Sequence, residues 1–149
     1  MTQEKKQLLL KDLCARLPYG VICYNSDTES DFKLCDVADT DSGYPTFDYG
    51  YGILETVKPY LRPISSMTEE EVGTLFNVLK IDEKRGDWLK VNDIGIIRLF
   101  TEAGKDFYEI AAAFDYLNSI HVDYRGLIEK GLALEALEGM YNKNTYKAN

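Results

Sequence analysis

The chain has 149 residues, 45% apolar and 28% charged, a composition that fits one folded domain or two small ones and excludes wholesale disorder and collagen-like repeats. Lys and Arg total 17 against 25 Asp and Glu, a net charge of −8. That balance argues against nonspecific binding to DNA or RNA, because counterion release needs clustered cations.

Thr2 is placed to cap a first helix running to about Leu17, with Glu4 near the positive end of its dipole. Leu9, Leu10, Leu13, Cys14 and Leu17 recur at three- and four-residue spacing and predict one apolar stripe. Lys5, Lys6, Lys11, Asp12 and Arg16 are expected mostly off it. Pro18 stops the helix, since the residue before a proline is biased away from helical angles. This opening is too charged for a signal peptide, and no window nears the ~20 apolar residues of a membrane span.

Strands are expected from Tyr19 to Val57. Val21–Tyr24 are β-formers, Asn25–Asp31 reads as a polar turn, and Phe32–Val37 alternates. Ala38–Pro45 reads as a loop, with short strands at Thr46–Tyr51 and Ile53–Val57 around Gly50 and Gly52. One helix followed by four short strands is the element order of SH3-like and Sm-like barrels. Lys58–Ser66, with Pro59 and Pro63, is expected to be a connector or edge strand.

Thr68 and Glu71 form a capping-box pattern ahead of a helix striped by Val72, Leu75, Phe76 and Leu79. Strands follow at Trp88–Val91 and Ile94–Phe100, joined at Asn92-Asp93. Asp106 can cap a third helix carrying Ile110, Ala111, Phe114, Leu117 and Ile120. The fold expected is therefore α+β within a single domain, 1–149. An N-terminal helix and a small curled antiparallel sheet occupy 1–66, helices with an inserted hairpin occupy 67–140, and 141–149 is a frayed tail.

Two blocks carry a resemblance: Lys58-Pro59-Tyr60-Leu61-Arg62-Pro63-Ile64-Ser65-Ser66-Met67-Thr68-Glu69-Glu70-Glu71, and Leu117-Asn118-Ser119-Ile120-His121-Val122-Asp123-Tyr124-Arg125-Gly126-Leu127-Ile128, continued by Gly131-Leu132-Ala133-Leu134-Glu135-Ala136. With Leu8–Gly20 they resemble a family of short proteins from gut Bacteroidales and the phages or mobile elements these bacteria carry. The resemblance covers about half the chain and implies no activity, cofactor or catalytic residue.

Cys14, Cys23 and Cys35 are odd in number and contain no CxxC, so they read as reduced thiols of a cytoplasmic protein, small buried hydrophobes by type. His121 is the only histidine. Its flanking Ser119 and Asp123 are too near in sequence to converge as a triad, and a histidine at a helix end steadying the last carbonyls is the plainer reading. Between Asp27 and Asp48 seven carboxylates (Asp27, Glu29, Asp31, Asp36, Asp39, Asp41, Asp48) meet one cation, Lys33. A calcium loop starting at Asp39 would end on Gly50 and one starting at Asp27 on Ala38, and neither supplies the terminal bidentate acid. No P-loop, GxGxxG or HExxH motif occurs, so no cofactor or metal is expected.

Tyr44, Phe47, Tyr49, Tyr51 and Tyr60 put a row of rings beside these acids. The row reads first as a barrel interior or cross-strand pairs and, as the functional alternative, as a face for a protein partner. Base stacking would want flanking cations, where Asp48 stands instead. The expected function is a non-enzymatic interaction module contacting a protein through Asp36, Asp39, Asp41, Tyr44, Tyr49 and Tyr51. An acidic decoy imitating nucleic acid is the competing class, and a small enzyme with an unrecognised site is the third.

Overall fold

A computed structural model describes residues 1–38, 44–47, 50–81, 88–91, 97–100 and 107–141. In chain order its elements are α1 (Gln3–Arg16), β1 (Ile22–Asn25), β2 (Ser30–Lys33), β3 (Asp36–Ala38), β4 (Tyr44–Phe47), β5 (Gly50–Tyr51), β6 (Val57–Leu61), α2 (Glu69–Val78), β7 (Trp88–Val91), β8 (Ile97–Phe100), α3 (Phe107–Ser119) and β9 (Leu134–Glu135). This is the expected α+β class with its N-terminal helix. The elements divide between two compact units, Met1–Leu61 with Arg125–Asn149, and Arg62–Tyr124.

In the first unit, the Thr2 hydroxyl caps α1 by accepting from the Lys5 N–H at 3.3 Å. A 3-10 turn, Leu17–Tyr19, carries Pro18, and Gly20 then closes the stretch at φ +68°. Glycine suits that left-handed site, where a Cβ would also meet Lys33 Cε at 2.8 Å. The buried face of α1 departs from the leucine stripe expected of it. Leu9, Asp12, Leu13 and Arg16 are buried, whereas Leu10 is half-buried and Cys14 exposed. Two core positions are thus charged, at helical spacing with the leucines.

The sheet order is β2-β1-β6-β9, antiparallel across the first three strands and parallel between β6 and β9. It is therefore mixed, not wholly antiparallel as the sequence suggested. A second sheet has the order β3-β4-β5. Among the described residues no ladder closes these strands into a barrel.

The expected strand at 53–57 is instead a turn over 54–56, and the expected connector at 58–61 is the inner strand β6. Pro59 is tolerated there for a reason visible in the register. Ser26 N–H donates to the Thr56 carbonyl, so Cys23↔Pro59 falls at a non-hydrogen-bonded pair. The proline nitrogen faces away from β1, and pairing with β9 begins one residue later at Tyr60. Leu9, Leu13, Val21, Val57, Leu61 and Leu127 form the fully buried heart of this unit. Each such side chain contributes about 1.5–3 kcal/mol.

In the second unit, α2 begins with the expected capping box. Thr68 Oγ1 accepts from Glu71 N–H at 3.2 Å, and Glu71 Oε2 accepts from Thr68 N–H at 3.0 Å. Leu75 and Leu79 pack with Ala113, Leu117 and Val122. The strands β7 and β8 pair from Trp88↔Phe100 to Val91↔Ile97, and the Asn92-Asp93 turn and the Asp106 cap lie outside the described residues. On α3 the buried side is Ala113, Leu117 and Asn118, while Ala111 and Phe114, both expected on the apolar stripe, are exposed. Phe114 stacks at a tilt on Tyr124, ring centroids 5.1 Å apart. The side of α3 turned inward is the one on which Ala113 and Leu117 pack against Leu75, Leu79 and Val122. No described helix is long and apolar enough to cross a membrane.

Candidate functional site

Three of the six residues expected at an interaction surface meet in the β3–β4–β5 sheet. Asp36 lies opposite Thr46, and Ala38 opposite Tyr44. Thr46 in turn lies opposite Tyr51 of β5. Directly paired residues point to one side of a sheet. Val37 and Pro45, also paired, take the other side, where Val37 packs against the first core and Pro45 is buried. Asp36 and Tyr44 are therefore on the outward face, Asp36 exposed and Tyr44 half-buried. Cys35 N–H to the Thr46 carbonyl and Gly52 N–H to the Pro45 carbonyl, both at 2.8 Å, fix the sheet's two ends. Asp39, Asp41 and Tyr49 lie outside the described residues.

One other acid of this region is engaged separately. Asp31 accepts from the Tyr60 hydroxyl at 2.9 Å. Burial of the Tyr60 ring, with that carboxylate beside its hydroxyl, pushes the phenol from 10.0 up to about 12. Among the described residues no three His, Cys, Asp or Glu side chains gather as a metal site.

The thiols divide. Cys23 is buried in the first core, where desolvation and then the Asp12 charge push its pKa well up. Cys14 and Cys35 are exposed, contrary to the expectation that all three fill the core. Cys14 too is shifted upward, by partial burial and then by the Asp36 carboxylate. Cys14 and Cys23 thus lack the electropositive setting that makes a nucleophile.

His121 follows the end of α3 at φ +57° and is fully buried. Its backbone is bonded on both sides: its N–H donates to the Asn118 carbonyl at 3.1 Å and its carbonyl accepts from Arg62 N–H at 2.8 Å. Ser119 Oγ donates to the Tyr116 carbonyl at 2.6 Å, which ties it to its own helix.

Two charged clusters escaped the reading of the sequence. In the first unit, Asp12 Oδ2 accepts from Arg16 Nε at 2.9 Å and Oδ1 accepts from Arg125 Nη1 at 3.2 Å. Asp12 and Arg16 are both completely buried. Their i, i+4 spacing beside Leu9 and Leu13 was the available signal. In the second unit, Arg62 forks both carboxylate oxygens of Glu71 at 2.9 and 2.8 Å and also donates to the Ile120 and Ser66 carbonyls. A carboxylate that accepts from a guanidinium on each of its oxygens is held as a strut. No protein-family model matches the chain, and no curated protein and no solved structure shows significant similarity to it.

Proposed function

We propose that this chain is a cytoplasmic, non-enzymatic protein-binding module of phage or mobile-element origin. The observation that carries the reading is the outward face of β3–β4, which presents Asp36 beside Tyr44 on a small sheet whose other face is spent on the core. Tyr supplies rigid contact area with a polar tip, and the acids of the Asp27–Asp48 stretch, −6 from seven acids and one lysine, select a basic partner. The phage or mobile-element origin rests on the resemblance of the two long blocks and of Leu8–Gly20.

The test is cross-linked capture from the native host followed by kinetics with the purified partner. Association should accelerate as salt falls, Asp36→Lys should slow the on-rate more than it changes the off-rate, and Tyr44→Ala should raise the off-rate. Rates indifferent to salt and to both substitutions would remove this face from the interface.

A further inference from the structure

The ladder between β1 and β6 changes character where its next hydrogen-bonded pair falls. Ser26:Thr56 and Tyr24:Lys58 are such pairs, and the alternation puts the following one at Ile22:Tyr60. There the Ile22 N–H is donated to the Tyr141 hydroxyl at 2.8 Å, and that hydroxyl lies 2.9 Å from the Tyr60 carbonyl and 3.3 Å from the Ile22 carbonyl. One phenolic oxygen stands between a backbone donor and a backbone acceptor that are complementary to each other. The residue expected to begin a frayed tail is a link in the sheet.

The segment leading to it is anchored at its two ends. Ala136 N–H donates to the Leu61 carbonyl at 2.7 Å, extending the β9 pairing. Between the anchors Leu137, Glu138 and Gly139 are exposed, and Gly139 takes φ +78°, the left-handed turn that returns the chain to the sheet. We propose that residues 136–141 form a releasable strap with the Tyr141 hydroxyl as its latch. When the latch withdraws, Ile22 N–H and the Tyr60 carbonyl bond each other directly, so release leaves neither group unsatisfied in the sheet. The strap therefore has two discrete arrangements, one with the hydroxyl spliced in and one with the ladder closed, and anything that favours one shifts the other.

Native-state hydrogen exchange on the full chain tests this with Tyr141→Phe, which keeps the ring and deletes the hydroxyl. The amides of residues 139–141 should exchange about tenfold faster, while the Ile22 amide stays protected because it closes onto Tyr60. Unchanged exchange over 139–141 overturns the latch, and free exchange at Ile22 overturns the alternative pairing. A second readout does not depend on that variant. With 3-fluorotyrosine at position 141, fluorine NMR should show two environments, and Ala136→Pro, which deletes the other anchor, should raise the solvent-like one. A single environment in both chains overturns the proposal.

Discussion

Asp12 is the residue on which the first unit's core turns. Its carboxylate holds a fully buried guanidinium and a second, partly exposed one, so the cluster is stabilising only while complete. Asp12→Ala leaves Arg16 buried without that partner and should cost about 3–5 kcal/mol in urea melts. Replacing Asp12 and Arg16 together by Leu and Met should restore much of the loss, since apolar substitutes of similar volume often match a buried ion pair. A single substitution costing under about 1 kcal/mol would mean the cluster is looser than its geometry. Tyr60 gives the unit a dependence on alkaline pH. Its phenol is raised in the folded chain, so its contribution is fully present below about pH 10 and is lost as pH rises through about 12. Urea melts from pH 8 to 11 should show a shallower alkaline loss for Tyr60→Phe than for the native chain; equal slopes would disconnect Tyr60 from it.

Glu71 does two jobs for α2, closing the capping box and receiving the Arg62 fork. The two can be separated. Thr68→Ala removes the cap alone and should cost about 1 kcal/mol. Glu71→Gln can keep a cap through its amide oxygen but loses the charge-assisted pair with Arg62, which should cost about 2–3 kcal/mol. Chemical denaturation ranks them, and a larger loss for Thr68→Ala would reverse the assignment. The capping pattern was legible because its partners are three residues apart. Arg62 was not, because its other partners, the carbonyls of Ser66 and Ile120, are backbone groups with no sequence signature. Pro59 misled for a related reason. A proline forbids one hydrogen bond, and only the register shows whether the sheet needed it.

For the molecule as a whole, the net charge of −8 is a property of composition, and its consequence for partners needs no coordinates. Bare DNA and RNA should not shift in gels at low micromolar protein even at low ionic strength, where repulsion reaches furthest. A retarded band would contradict the interaction-module reading. Class, helices and most strands follow from local information: period 3.6 against period 2, a cap, a proline, a turn-rich stretch. Non-local pairing lay beyond that information. Nothing local told Asp12 that Arg125 would arrive from the far end of the chain, or Ile22 that the Tyr141 hydroxyl would take its N–H. Hydrophobic pattern assigns charged residues to solvent by default, because an isolated buried charge is prohibitive. Only tertiary structure supplies the partner that lifts the penalty, and it alone decided which face of α1 is the core.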